Sequence, residues 1–259
     1  MAPTTLMRLS PLELIETSAR AGYDGMGIRL YPSPGMAFLP VVGDKDAEAK
    51  VKAAVRDTGI RVYEIFTCYL TPDMDIEAMK RAHEFGRELG AEWALVIGDD
   101  DDWNRQVDNF GILCDNAKQL GMTCSLEAPV NRRKLTTLEL NLKLIRDSGR
   151  ENVCISIDPV QYIRSGDNFD LLKDLDPKLM PYTQICDAKT MTAMEPYCMP
   201  GDGMVPLKQM LDIMPQGIPL SLEYHYREQP GFTPDTWAKH VLDGTLAYME
   251  SYYAEKVPA

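Results

Sequence analysis

The sequence predicts a single-domain α/β protein folded as a (β/α)8 (TIM) barrel, and three observations carry that prediction. Eight short apolar or β-branched runs alternate with longer amphipathic segments. The chain has 259 residues, a common length for one such barrel and enough for a large core. No GxGxxG follows the first strand, so an open dinucleotide-binding sheet loses its main support. Strands alternating with helices imply parallel neighbours joined by right-handed crossovers.

Taken in order, the first strand is placed at Thr4–Met7. Leu12, Ile15 and Ala19 mark the buried stripe of a helix that Gly22 stops, because glycine alone takes the left-handed turn without cost. The second strand is Gly25–Leu30, and a helix over 47–58 ends at Gly59. Strand three, Arg61–Phe66, leads to a helix over 76–89 that ends at Gly90. Strand four, Trp93–Ile97, leads to a helix over 103–120 that ends at Gly121. Strand five, Met122–Glu127, leads to a helix over 135–148 that ends at Gly149. Strands six to eight are Val153–Asp158, Pro181–Cys186 and Ile218–Glu223. No linker, low-complexity tract or charge block divides the chain, so 1–259 reads as one domain. The run Asp99–Asp102 lacks EF-hand spacing and reads as a solvated loop and helix N-cap.

Composition narrows the function. The net charge of −12 repels nucleic acid and anionic membranes, which need clustered Lys and Arg. No apolar run is long enough to span a bilayer, and Met1–Arg8 lacks the pattern of a signal peptide. The six cysteines (Cys68, Cys114, Cys124, Cys154, Cys186 and Cys198) show no CxxC spacing and read as reduced, mostly buried thiols. A cytoplasmic location is expected. The sequence does not fix an oligomeric state, and a homo-oligomer is compatible with it.

Barrel enzymes carry their chemistry at the C-terminal strand ends. Strand five ends at Glu127, strand six at Asp158 and strand eight at Glu223, and strand seven carries Gln184 and Asp187. Three carboxylates brought to one partly buried mouth repel one another unless a cation neutralises them. Taken singly, each acid is explained equally well as a salt-bridge partner or helix cap, and a buried amide commonly just satisfies backbone groups. The joint pattern on four successive strands is harder to explain that way. All four donors are oxygens, which suits one divalent ion: Mn²⁺ first, with Mg²⁺ or Co²⁺ as alternatives.

The chain resembles the xylose-isomerase-like barrel superfamily, which includes sugar-phosphate isomerases and epimerases, tagatose and psicose 3-epimerases, hydroxypyruvate isomerase, inosose dehydratase and 3-dehydroshikimate dehydratase. The resemblance rests on Ala21-Gly22-Tyr23-Asp24-Gly25, Leu89-Gly90-Ala91 and Ser125-Leu126-Glu127. It continues with Asp158 followed by Tyr162-Ile163-Arg164-Ser165-Gly166, then Gln184-Ile185-Cys186-Asp187-Ala188, Gly201-Asp202-Gly203 and Pro219-Leu220-Ser221-Leu222-Glu223. It implies metal ligation by Glu127, Asp158, Gln184 and Glu223. The third ligand of the superfamily is often His; Gln is what the hydroxypyruvate-isomerase-like and dehydratase-like branches tend to carry. Gln161 stands where many relatives place a substrate-touching His.

The rim supplies candidate substrate contacts. Arg29 closes strand two; Arg132, Arg133 and Lys134 follow strand five; Arg164, Lys189 and Arg227 follow strands six, seven and eight. Cations there, on so acidic a chain, are explained equally by an anionic substrate group and by neutralisation of the nearby acids. Glu64, Gln161, Asp187 and His225 complete the candidate substrate-binding set. Tyr31, Phe38, Phe66, Tyr69, Trp103, Tyr162, Tyr197, Tyr224 and Tyr226 are candidate walls for a cyclic ligand. His83 and His240 lie in helical patterns and are read as surface or hydrogen-bonded groups.

The expected chemistry is a metal-dependent isomerase or epimerase reaction, with proton transfer next to a carbonyl. Glu127 and Glu223 exchange the proton, and the substrate is a small hydroxy-ketone, keto-sugar or keto-acid. The alternative is a dehydratase acting on a cyclic hydroxy-ketone, with the same machinery expelling a β-hydroxyl. A multi-metal phosphodiesterase, as in the superfamily's endonuclease branch, is disfavoured by three histidines and the charge of −12. The intact pair of glutamates argues against a decayed, purely binding site.

Overall fold

The computed structural model describes residues 1–32, 40–130, 134–192, 196–224 and 231–256. A five-stranded parallel sheet holds β1 (Gly25–Arg29), β2 (Arg61–Leu70), β3 (Trp93–Gly98), β4 (Thr123–Leu126) and β5 (Val153–Ile155) in sequence order. Beyond it, β6 (Thr183–Ile185) pairs in parallel with β9 (Leu220–Leu222). A short antiparallel hairpin, β7 (Asp187–Ala188) with β8 (Tyr197–Cys198), follows β6.

Two connections close the ring. Gln184 N–H donates to Ile157 O at 3.0 Å and the Thr183 hydroxyl donates to the same carbonyl at 2.9 Å, joining β5 to β6. On the other side Ala2 N–H donates to Leu222 O, while Met1 O accepts from Gly27 N–H and the Met1 amine donates to Gly25 O. The first stave is therefore residues 1–2. This corrects the strand placed at Thr4–Met7: Pro3–Leu6 form a 3₁₀ turn. Proline fixes φ near the turn value and removes a ladder donor, so the extended path ends at Ala2. The Thr5 side chain takes over the ladder's work, donating to Leu222 O at 2.8 Å and accepting from Tyr224 N–H at 3.1 Å.

The first five helices match the expected order, with sharper ends. α1 (Pro11–Ala21) starts on a Ser10/Glu13 capping box and stops at Gly22, φ +93°. α2 (Lys45–Thr58) starts on Asp44 and stops at Gly59, φ +70°. α3 (Ile76–Glu88) and α4 (Trp103–Gln119) start on Asp75 and Asp102. α5 (Leu138–Ser148) begins later than expected because the Thr137 hydroxyl caps Leu140 N–H. α6 (Pro159–Ser165), α7 (Phe169–Lys173) and α8 (Leu207–Ile213) are short, and α9 (Pro234–Ala254) closes the outer layer against α1. Apolar side chains between strands and helices, among them Ile28, Ile65, Val96, Phe110, Leu113 and Leu126, form the main core. Among the described residues no helix is long and apolar enough to cross a membrane.

Candidate functional site

Inside the barrel, alternation along each strand decides what faces the axis. A Cβ added to Gly27 would meet the Glu64 side chain, so Gly25, Gly27 and Arg29 share the inner face of β1, and Glu64 and Phe66 that of β2. Tyr182 reaches both Glu64 Oε2 and Ser125 Oγ at 2.9 Å, placing Ser125 and Tyr182 on the inner faces of their staves. Two residues further along lie Glu127 and Gln184. The interior is thus layered, with Glu64, Ser125 and Tyr182 below and Glu127, Asp158, Gln184 and Glu223 at the C-terminal mouth. All four mouth residues are buried.

Asp158 is the most constrained of the four. It is the N-cap of α6, and its Oδ1 accepts from Val160 N–H at 2.7 Å and Gln161 N–H at 3.0 Å. The Cys186 thiol donates to the same oxygen at 3.2 Å, and the Tyr197 hydroxyl donates to Oδ2 at 2.5 Å. The capping explanation raised by the sequence is therefore true of Asp158, yet it leaves Oδ2 with only one donor among these bonds.

Burial, then the charges of Glu223, Asp158 and Glu64, push the Glu127 carboxyl well above the usual carboxylate range. Burial and then Glu223 raise Asp158 to about 6, against the pull of its hydrogen bonds from Tyr197, Gln161 N–H and Cys186. The mouth acids therefore feel one another, although among the described residues no three His, Cys, Asp or Glu side chains have closed to coordinating distance. Gln184 is the telling member. Among the described residues neither its Oε1 nor its Nε2 makes a hydrogen bond, and the residue is 1% exposed. An orphaned buried amide among mutually repelling acids fits a site built for a cation, since such groups are costly without a partner.

Several predicted contacts are placed elsewhere. Glu64 lies one layer below the mouth, lining a cavity of about 350 Å³ that opens toward the N-terminal end between β1 and β9, with Met1, Gly25, Trp93 and Ser221. Gln161 is committed to the protein: its Oε1 accepts from Val130 N–H and its Nε2 donates to the Tyr197 hydroxyl. Asp187 accepts from the backbone N–H groups of Ala188, Gly201, Gly203 and Val205, so both its oxygens are engaged in tying down the loop after β8. Tyr162 donates to Asn168 O and packs edge-on to Phe169, and Trp103 donates to Asp147 beneath Lys143; both belong to the outer layer. Tyr31 is buried edge-on to His83, which is itself bonded to Asn116. Lys134 pairs with Asp101.

Arg29 is buried at the end of the inner face of β1, and Phe66 stands beside it on β2. Arg164 donates to Thr190 O and lies over the Tyr197 ring, and Lys189 is exposed on the rim of a cavity that Tyr197, Tyr224 and Trp237 also line. Phe38, Arg132, Arg133, His225, Tyr226 and Arg227 lie outside the described residues. Sequence reasoning missed the lower polar layer and the Cys186 and Tyr197 bonds to Asp158. Ser125 and Tyr182 could have been found, two residues before Glu127 and Gln184 on alternating strands. Nothing local signals Tyr197, which meets Asp158 across 39 positions.

Residues 15–248 match the family described as xylose isomerase-like TIM barrel. The chain is 20% identical to the solved IolI protein with a bound zinc atom, with a TM-score of 0.80, covering 97% of this chain and 98% of that one. Against D-psicose 3-epimerase in the presence of D-fructose the values are 15%, 0.74, 97% and 98%. Against the probable 3-DHS dehydratase AsbF from Bacillus anthracis, involved in petrobactin synthesis, they are 13%, 0.71, 94% and 96%. At these identities the likeness shows the shared fold. No curated protein sequence matches the chain.

Proposed function

Since the chain belongs to the xylose isomerase-like TIM-barrel family, we propose that it is a divalent-metal-dependent isomerase or epimerase of a small hydroxy-ketone, keto-sugar or keto-acid. The observation that carries this reading is the mouth itself: three buried acids and a buried amide that has no hydrogen-bond partner among the described residues, all at strand C-terminal ends. Glu127, Asp158, Gln184 and Glu223 would hold the ion. Four oxygen donors favour Mn²⁺, Mg²⁺ or Co²⁺, and the zinc of the IolI structure is the competing identity.

When bound, the ion supplies positive charge beside the carbonyl oxygen on which negative charge develops. The protein's own work is proton transfer and placement. Glu127 and Glu223 come from different sides of the ring, after β4 and β9, so a carbon held between them can lose a proton to one carboxylate and regain it from the other. Arg29 offers a buried, permanently charged donor to an oxygen-rich or anionic end of the substrate. Phe66, beside Arg29 on the inner face of β2, gives the pocket an apolar wall.

Exchange of a substrate C–H proton with D₂O, screened over keto acids, keto sugars and cyclitol ketones with Mn²⁺, tests the proposal. Metal-dependent exchange supports it. Exchange accompanied by loss of water assigns the dehydratase reading, in which the same carbanionic carbon expels a β-hydroxyl. No exchange with any member of the panel counts against both.

A further inference from the structure

The polarity of one hydrogen-bond chain can be read without ambiguity. Val130 N–H can only donate, so the Gln161 atom 3.1 Å from it is the carbonyl oxygen Oε1. That orientation turns Nε2, which can only donate, toward the Tyr197 oxygen at 2.6 Å. The Tyr197 oxygen thus accepts from Gln161, and its single proton goes to Asp158 Oδ2 at 2.5 Å. The chain from Val130 to Asp158 runs one way, and its last member must be an acceptor.

The other oxygen of Asp158 is already crowded. Oδ1 takes Val160 N–H, Gln161 N–H and the Cys186 thiol. A carboxylate offers about four lone-pair positions, two on each oxygen, so Oδ2 keeps one after Tyr197 has taken the other. Tyr197 is itself held in place. Its backbone pairs with Ala188 in the β7–β8 hairpin, whose neighbouring loop is tied to Asp187, and the Arg164 guanidinium lies 5.7 Å from its ring centroid.

We propose that Tyr197 is the positioning residue of the metal centre: its hydroxyl, oriented by Gln161, holds Asp158 Oδ2 so that the remaining lone pair faces the ion shared with Glu127, Gln184 and Glu223. This rests on the metal-centre reading above. Groups that orient a ligand in this way contribute to affinity without touching the ion. Tyr197→Phe removes only the oxygen. Gln161→Glu reverses the chain, because a carboxylate at 161 accepts from Val130 and then also draws the Tyr197 proton away from Asp158.

The experiment is calorimetric titration of the metal-free protein with Mn²⁺ alone, with circular dichroism and melting of the metal-free forms as the folding control. Tyr197→Phe and Gln161→Glu should each bind Mn²⁺ more weakly by a factor on the order of 10–100. Tyr162→Phe, which removes a hydroxyl bonded to the carbonyl of Asn168, the N-cap of α7, should leave the affinity unchanged. Wild-type binding with no loss in Tyr197→Phe, or an equal loss in Tyr162→Phe, overturns the proposal alone. Absence of Mn²⁺ binding by the wild type overturns the metal-centre reading and this proposal with it. If Tyr197→Phe fails to fold, Gln161→Glu decides: weakened binding supports the proposal and unchanged binding rejects it.

Discussion

The Tyr182 hydroxyl lies 2.9 Å from Glu64 Oε2 inside the barrel, one layer beneath the residues of the mouth. The same hydroxyl is 2.9 Å from Ser125 Oγ, so its one proton serves the carboxylate and Ser125 supplies the second bond. Burial raises Glu64 to about 7, and the Tyr182 hydrogen bond only partly offsets this.

That shift predicts the direction of a pH effect. Glu64 is held more tightly protonated in the folded state than at its ordinary value of 4.5. Its contribution to stability is therefore fully present below pH 4.5, is lost as pH rises toward 7, and stays constant above it. Glu64→Gln, which mimics the protonated form, should gain on the wild type between pH 4.5 and 8 by up to about 3 kcal/mol, at 1.36 kcal/mol per unit. Chemical denaturation of both proteins with EDTA across that range measures the gap. A constant gap would show that Glu64 ionises normally.

Asp187 should be a stability residue. Asp187→Asn replaces one accepting oxygen with a donor that faces backbone N–H groups, so at least one bond is lost and one repulsive contact is made. The expected loss is on the order of 3 kcal/mol, from hydrogen bonds to a charged group and the N–H left unsatisfied. Gly203→Ala should behave alike, because an added Cβ would stand 2.2 Å from Asp187 Oδ1. Urea unfolding midpoints at unchanged slope check both; midpoints equal to wild type would return Asp187 to the substrate-contact reading.

Thr5 should couple barrel closure to the site. Thr5→Val keeps the shape but leaves Tyr224 N–H, next to Glu223, without the hydroxyl, while Leu222 O keeps Ala2 N–H as its donor. A loss of about 1–2 kcal/mol is expected for the N–H left unsatisfied. Hydrogen exchange at Tyr224 should accelerate with it; unchanged protection would mean that another group closes the ring there.

Much of this was legible in the sequence, for identifiable reasons. Gly22, Gly59 and Gly149 stop helices by taking positive φ, a local requirement that any reader of the chain can see. The four mouth residues were legible because strand ends of a barrel converge by geometry alone. The first stave was misread because the β-branched pair Thr4-Thr5 outweighed Pro3, whose missing N–H decides the matter. The bonds of Gln161 and Asp187 were not legible because a rim side chain and its partners are joined only by the fold: Asp187 reaches Gly201 and Gly203 across a loop, and Gln161 reaches Val130 from another stave.

Proton transfer should depend on both glutamates. With any substrate that exchanges its C–H proton, Glu127→Gln and Glu223→Gln should each slow exchange by a factor on the order of 10²–10⁴, the usual contribution of a general acid or base. Rates near wild type in both variants would remove them from that role.

The most direct test is the metal content itself. Metal-free protein titrated with Mn²⁺ should take up about one ion per chain and melt at a higher temperature, since an ion that binds only the folded state stabilises it. Gln184→Leu, which removes the orphaned amide and its oxygen donor, should weaken that uptake while leaving the metal-free protein at least as stable. No saturable Mn²⁺ binding by the wild type, or undiminished binding in Gln184→Leu and Glu223→Gln alike, would contradict the assignment of Glu127, Asp158, Gln184 and Glu223 as one metal centre.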